Sequence, residues 1–387
     1  MKIAVVTETF TPFMGGSSRR YHEVFKRLAK DHDVHLFTPK LSPSWPEEEV
    51  IDGIKVHRSE GSQGLITTDG LRSVRGVLRF CAWSFRRLER EGPFDVVEAN
   101  HCPIFPALSS WLRTRMSRTP LSVTFHEVWY SEWYRYVPRS VYAPVGIRLE
   151  HATTLVPDLA IAVSETTAQG LRDCFHLPRE KTKVISNGVD TEMFDGGASP
   201  ERDRRGVVFV GRLNPHKRLD LLLGAVGELA PSYDGVRLRV VGDGPWAGNY
   251  KAMAASDLLK GKVSFLGALD DHDVAQELKR ARVYVQSSIR EGQSITVLEA
   301  MAAGTPQVAV KAPGSAVPAL LDASKSGLAV EASAGGIAKA IGRLFDDGAL
   351  WDQLSTASLD YARRYSWDNI AREHERAYVE LADGRRR

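Results

Sequence analysis

The chain is poor in cysteine. Its 387 residues hold three, Cys81, Cys102 and Cys174, an odd number spaced far apart. That pattern builds no disulfide framework and no metal-binding spacing, and it fits a cytosolic protein with reduced thiols. Long apolar runs are also missing. The opening "MKIAVVTETFTP" turns polar too soon for a signal-peptide core and reads as a buried strand. No stretch approaches the length of a transmembrane helix. Net charge is only +3, so nothing global points to nucleic acid. No GxGxxG follows the first strand, which argues against a nicotinamide-dependent dehydrogenase, and the lysine and order of a P-loop are lacking. There is no internal repeat and no low-complexity segment.

What is present is alternation. The chain is 43% apolar and 26% charged, ordinary for a globular protein, and long enough for two or three domains. Short apolar runs predict strands at 2–8, 33–38, 54–59, 94–100, 121–127, 159–164 and 182–186. A second set follows at 206–211, 236–242, 263–267, 281–287, 306–310 and 327–331. Amphipathic helical patterns lie between them, for example at 19–30, 71–91, 217–230, 295–303 and 335–346. Strands alternating with helices predict an α/β protein with two parallel, Rossmann-like sheets. The boundary falls in "SNGVDTEMFDGGASPERDRRG" (186–206), an Asn-Gly turn followed by a polar, aperiodic stretch. The amphipathic tail 366–381 could pack on either domain.

Several stretches carry chemistry. In "REGQSITVLEAMAAGTP" (290–306), Glu291 and Glu299 stand eight residues apart. Gly292 disfavours one continuous helix, so Glu291 is placed in a loop, Ser294 at a helix cap and Glu299 inside the helix. N–H groups at residues 295 to 297 would then face an anion, at the carboxyl end of the strand 281–287. Carboxylates are poor phosphate ligands and good acceptors for sugar hydroxyls. Such a site suits a molecule with a diphosphate between two polyols, which is a nucleotide sugar. The plainer reading makes Glu299 a surface residue and Glu291 a solvated one. In "VVFVGRLNPHKRLD" (207–220), Arg212 and Lys217 bracket a turn at a strand end. There they could stabilise a diphosphate leaving group, or they could simply be a solvated basic turn. "FTPFMGGSSRRYHEV" (10–24) offers a Gly15–Gly16 loop before a helix, where backbone can approach a phosphate. His126 in "TFHEVW" and His101 in "EANHCP" hold equivalent places at two strand ends, as active-site donors or as loop histidines. The two "DHD" triplets, 31–33 and 271–273, read as a turn and a helix cap rather than metal ligands.

In combination these residues resemble family 4 retaining glycosyltransferases of the GT-B fold. The match rests on the E-x7-E motif of Glu291 and Glu299 continuing into "AMAAGTP", and on "GRLNPHK". The "SNGVD" linker, the early "GG", the "FH" pair and the late "SW" (366–367) corroborate it. The resemblance spans nearly the whole chain, in order. It implies two Rossmann-like domains facing across a cleft. The acceptor domain would be 1–190, completed by the last helix at 368–387, and the nucleotide-sugar domain 191–367. By this resemblance Glu291 holds the donor hexose and Glu299 the ribose diol. Arg212 and Lys217 clamp the diphosphate, and Gly15 and Gly16 let their loop close over it. His126 lies near the scissile bond. Gly242, Gly267, Gln293, Ser294, Ile295 and Thr296 line the donor site. Gln293 departs from the Gly-Phe-Gly common after the first glutamate, which bears on the donor hexose. The resemblance further implies retention of anomeric configuration by front-face attack, no metal or other cofactor, and domain closure pivoting near Asn187–Asp190 and 366–368.

The acceptor side is sketched by Glu8, His101, Trp129 and Tyr130, the last two in the aromatic run "VWYSEWYRYVPRSVYAPVG" (128–146). The 71–91 stretch carries Arg72, Arg75, Arg79, Arg86, Arg87 and Arg90 among apolar residues, and 19–30 adds Arg19, Arg20, Lys26, Arg27 and Lys30. A lipid-linked or saccharide acceptor is expected, with a mannose- or glucose-type hexose as the group moved. A cytoplasmic place follows, with peripheral contact to an anionic membrane open through 71–91. The rival readings are a nucleotide-sugar epimerase, a hydrolase or phosphorylase on the same architecture, and a non-catalytic nucleotide-sugar-binding subunit.

Overall fold

The computed structural model describes residues 1–12, 15–60, 73–101, 104–136, 142–194 and 206–386. Arg72, Cys102, the side chain of Tyr136 and the linker residues 195–205 lie outside the described residues. The chain divides into two compact units, Met1–Ser186 with Trp367–Arg387, and Asn187–Ser366.

The first unit holds eight strands: β1 (Lys2–Val6), β2 (Asp33–Pro39), β3 (Glu48–Ile51), β4 (Ile54–Ser59), β5 (Val96–Asn100), β6 (Leu121–Phe125), β7 (Leu159–Ala162) and β8 (Thr182–Val184). They pair in the order β3-β4-β2-β1-β5-β6-β7-β8. Strands β5, β6 and β7 are buried along their whole length, as expected when helices cover both faces of a parallel sheet. One strand was not anticipated. β3 pairs antiparallel with β4 through an Asp52–Gly53 turn, both residues at positive φ (47° and 84°). Asp-Gly between two short apolar runs is a hairpin signal. The predicted strand 121–127 stops at Phe125, and the predicted helix 71–91 is described from Val74 to Glu91.

The second unit holds β9 (Gly206–Val210), β10 (Arg237–Val241), β11 (Val263–Gly267), β12 (Val283–Gln286), β13 (Arg290–Glu291), β14 (Gln307–Val310), β15 (Gly314–Ser315) and β16 (Gly327–Val330). Six form an all-parallel sheet ordered β11-β10-β9-β12-β14-β16, and β13 pairs with β15. Alternate residues of β9 serve the two faces. Val207 and Phe209 pack with Leu222, Val226, Ile337 and Ile341, whereas Val208 packs with Tyr284, Leu298 and Met301. Counted from β9, the order is third, second, first, fourth, fifth, sixth, the doubly wound arrangement whose ligand crevice opens where the order reverses. That point lies between the carboxyl ends of β9 and β12. In the first unit the reversal lies between β1 and β5.

The helix Trp367–Arg386 belongs with the first unit. Trp367, Ile370, Ala371, Ala377 and Tyr378 are buried. Asp368 pairs with Arg27, and Glu375 lies 2.8 Å from His32. Among the described residues no helix is long and apolar enough to cross a membrane.

Candidate active site

At the switch point of the second unit, β9 ends at Val210 and the chain turns through Gly211 and Arg212 to the short helical turn Pro215–Lys217. β12 ends at Gln286 and leads through Ser287 and Ser288 to Glu291. The two loops are stitched together. Ile289 N–H donates to the His216 carbonyl (3.0 Å), and Ser287 Oγ donates to the Lys217 carbonyl (2.7 Å). This holds Lys217 where its Nζ donates to Glu291 Oε2 at 2.5 Å. Gln286 Nε2 donates to the same oxygen (3.0 Å), and Tyr284 donates to Gln286 Oε1 (2.8 Å).

Ser294 caps the helix Ile295–Ala302, its Oγ accepting from Val297 N–H (3.3 Å). One expectation is thereby corrected. Of the N–H groups of residues 295 to 297, that of Val297 is spent on its own cap. Ile295 and Thr296, in the first turn, have no carbonyl one turn back to bond. Glu299 is 4% exposed, so it is not a surface residue, and Glu291 is half-buried. Burial, with the charges of Glu291 and Glu299 nearby, pushes the Tyr284 phenol well above its ordinary range.

Arg212 is exposed beside this pair. His216 reports on its surroundings. Burial first, then the positive charges of Lys217, Arg290 and Arg212, lower its pKa to about 3. Three cations thus surround one neutral imidazole, a concentration of charge suited to an anion. The strand ends beside it are bare. A Cβ on Gly242, at φ +121°, would stand 2.1 Å from the Gly211 carbonyl oxygen, and one on Gly244 2.6 Å from that of Leu213. Gly267, also at positive φ, accepts from Gly242 N–H (2.7 Å). Gln293 turns elsewhere: its side-chain oxygen accepts from Asn187 N–H (2.5 Å), and its carbonyl accepts from Asn187 Nδ2 (3.2 Å).

In the first unit, Glu8, His101 and His126 follow β1, β5 and β6, at or next to that unit's own switch point. Glu8 and His101 are buried. His126 is half-buried, and its Nε2 is shut off from solvent with no hydrogen-bond partner among the described residues. Its pKa lies well below the ordinary value through burial, then the charges of Arg20 and His101. Gly16 opens the helix Gly16–Leu28, with Gly15 as its extended N-cap. The aromatic run is held from beneath by a carboxylate that the sequence did not single out. Glu150, 2% exposed, accepts from Trp129 N–H (2.7 Å), Tyr130 N–H (2.9 Å) and Trp133 Nε1 (2.8 Å). Trp133 leans on Gly146, where a Cβ would meet its ring at 2.5 Å. Tyr130 is left 42% exposed.

Two groups of side chains could hold a metal among the described residues, and neither includes a residue of these loops. His35 of β2, His57 of β4 and Glu91 at the end of the helix Val74–Glu91 form one, and Asp270, His272 and Asp273 at a helix start the other. The cap of that helix is Asp270, accepting from Asp273 N–H (2.8 Å), one residue before the predicted one. Arg20, counted from the sequence as surface charge, is 1% exposed.

The profile for glycosyl transferases group 1 matches residues 192–360, and that for glycosyltransferase family 4 matches residues 14–193. The chain belongs to glycosyltransferase family 4. It is 26% identical to an uncharacterized glycosyltransferase of Methanocaldococcus jannaschii, over 98% of each chain. It is 28% identical to the phosphatidyl-myo-inositol mannosyltransferase of Mycobacterium leprae, over 77% of this chain and 76% of that one. Among solved structures it superposes on sucrose-phosphate synthase of Thermosynechococcus elongatus with a TM-score of 0.82, at 19% identity and 99% coverage of both chains. The fold of this glycosyltransferase is therefore GT-B.

Proposed function

We propose that this family 4 glycosyltransferase moves a mannose- or glucose-type hexose from a nucleoside diphosphate sugar to a hydroxyl of a lipid-linked or other glycoconjugate acceptor, with retention and without a metal. The observation that carries the reading is the charge arrangement at the second switch point. Arg212, Lys217 and Arg290 surround a neutral His216, and the carboxylates Glu291 and Glu299 stand beside them. Cations suit the diphosphate; carboxylates suit the hydroxyls at either end. Gly242 lets its strand end close on Gly211, Gly267 faces open space suited to the base, and Ile295 and Thr296 offer N–H groups. The likeness to a phosphatidyl-myo-inositol mannosyltransferase supports a lipid-borne acceptor and a mannosyl donor.

In the reaction the acceptor oxygen bonds to the anomeric carbon as that carbon's bond to the diphosphate oxygen breaks, on one face. The acceptor proton passes to the departing diphosphate. Arg212 and Lys217 stabilise the charge that gathers there, and the protein otherwise contributes by positioning. His126, whose buried Nε2 has no hydrogen-bond partner among the described residues, accepts a hydrogen bond from the reacting sugar or donates one to it. Trp129 and Tyr130, with Glu8 and His101, border the acceptor. The helix Val74–Glu91 rests on an anionic membrane.

Thermal-shift measurement with UDP, GDP, ADP and their hexose conjugates, in EDTA, tests the donor and the absence of metal together. A micromolar ligand at millimolar concentration stabilises by about 4 kcal/mol. The expected result is a shift with one nucleotide family that is lost in Glu299→Ala. No shift with any nucleotide would remove the reading. A shift without release of nucleoside diphosphate in the presence of lipid extracts would favour the non-catalytic binding subunit.

A further inference from the structure

Asn187 opens the second unit and is buried there. Its neighbours make it a fixed post. Val189 N–H donates to the Tyr365 carbonyl (2.8 Å), and Val189 bridges to Ser366, so the segments where the chain enters and leaves this unit are bonded to each other. Val189 and Phe194 are buried in one cluster with Val297, Leu298 and Met301, from the helix that Ser294 caps. Asp190 Oδ1 accepts from Met193 N–H (3.3 Å) and closes the turn between them.

Gln293, two residues after Glu291, is bonded to this post twice. Its side-chain Oε1 accepts from Asn187 N–H (2.5 Å), and its main-chain carbonyl accepts from Asn187 Nδ2 (3.2 Å). Each partner uses one main-chain and one side-chain group. Such a pair fixes the place of the residue and also the rotation of its peptide plane. The consequence falls on the next N–H. The peptide bond from Gln293 to Ser294 is trans, so the Ser294 N–H points opposite to the Gln293 carbonyl, away from Asn187. Ser294 is buried, and its N–H has no acceptor among the described residues. Its hydroxyl is spent on Val297 N–H. An N–H of a buried residue that lacks an acceptor is rare in a folded protein and marks a place for a ligand oxygen. This one stands in the same short loop as Glu291, whose carboxylate Lys217 and Gln286 hold in place.

We propose that Asn187 and Gln293 are positioning residues for the donor hexose: their two hydrogen bonds turn the peptide between Gln293 and Ser294 so that the Ser294 N–H meets a hydroxyl of the hexose held by Glu291. Gln293 then acts through the backbone, and its side-chain oxygen serves Asn187 rather than the sugar. This rests on the reading of Glu291 as the residue that holds the hexose of a nucleotide sugar.

The test separates the sugar from the nucleotide. Calorimetric titration of the full-length protein compares UDP with UDP-glucose, GDP with GDP-mannose and ADP with ADP-glucose, on the wild type, Gln293→Met and Asn187→Asp. Gln293→Met keeps the side-chain length and removes the acceptor for Asn187 N–H. Asn187→Asp keeps the shape and removes the donor to the Gln293 carbonyl, with the glutamine left in place. The nucleoside diphosphate alone should bind all three proteins alike, because its contacts are with Arg212, Lys217 and Glu299. The sugar conjugate should bind both variants about tenfold more weakly, as expected for one misplaced hydrogen bond. Equal losses for nucleotide and conjugate would make the pair a general support of the loop and overturn the proposal. A loss in Gln293→Met with none in Asn187→Asp would mean that the amide touches the hexose directly, and overturns it as well. If Gln293→Met fails to fold, Asn187→Asp decides alone. Unchanged affinities in both variants overturn the proposal and leave the donor reading intact. No binding of any nucleotide or conjugate to the wild type removes the donor reading itself, and the proposal with it.

Discussion

Glu291 and Lys217 are 74 positions apart, and each side chain is mostly withdrawn from water where they meet. A pair so placed is coupled: removing Lys217 leaves a half-buried carboxylate with Gln286 as its remaining donor. A double-mutant cycle on Lys217→Met and Glu291→Gln should therefore give a coupling energy of about 1–2 kcal/mol in unfolding, and transfer rates far from additive. Lys217→Met alone should lower kcat by about a hundredfold or more, as expected for a lost charge at the leaving group. Additive losses would mean that the two act on separate parts of the reaction. Glu291, Lys217 and Arg212 were legible because local grammar marks them: a glycine that stops a helix, a strand end, a proline turn. Arg290 and His216 were not. Nothing in "NPHK" says that the imidazole lies among three cations, because one of the three arrives from another loop. Arg20 was misread for a similar reason. A run of basic residues on a helix looks solvated until the tail of the chain covers it.

The elements themselves were readable where burial is uniform. Strands lying wholly inside a parallel sheet show as continuous apolar runs, as in β6 and β7. β3 escaped because its residues, "EEVI", alternate only weakly at a half-exposed edge. The helix Val74–Glu91 shows how far an amphipathic pattern can be taken. Val77, Phe80, Cys81, Ser84 and Leu88 are buried, so it is docked on the first unit. Arg87 is occupied with Glu48 and Glu91. What remains outside is Arg75, Arg79, Arg86 and Arg90, with Val74 and Leu78 more than half exposed among them. Cations with apolar side chains between them match an anionic lipid surface. The protein should sediment with phosphatidylglycerol-containing vesicles at low salt and release at high salt. Arg75→Gln with Arg79→Gln removes two charges at about 1 kcal/mol each, so binding should weaken about thirtyfold with the fold intact. No sedimentation at low salt would leave these arginines as solvated charge.

At the scale of the whole molecule, acid stability depends on histidines held neutral. His374, 2% exposed, is lowered to a pKa of about 3 by burial and then by the charge of Arg20. Unfolded, it titrates near 6.5. Its contribution is thus complete above pH 6.5 and is lost progressively as pH falls toward 3, because in that window the unfolded chain binds the proton and the folded chain does not. Between pH 7.5 and 5.5 this one residue should cost about 1.4 kcal/mol of unfolding free energy. His126 and His216 add losses of the same sign. Glu98 and Glu150, raised by burial, act oppositely. Asp33 and Asp368, lowered by Lys55 and Arg27 respectively, lose their contributions only below about pH 4. The interval from pH 7.5 to 5.5 is the one in which histidines of the unfolded chain take up their protons. Denaturant unfolding at its two ends, on the wild type and on His374→Gln, should show a smaller loss in the variant by about that amount. Equal losses would mean that the His374 ring is already charged, or that the returning helix opens before it titrates. Either result would contradict the buried hydrogen bond that joins the Arg20 guanidinium to His374 Nε2 (3.2 Å).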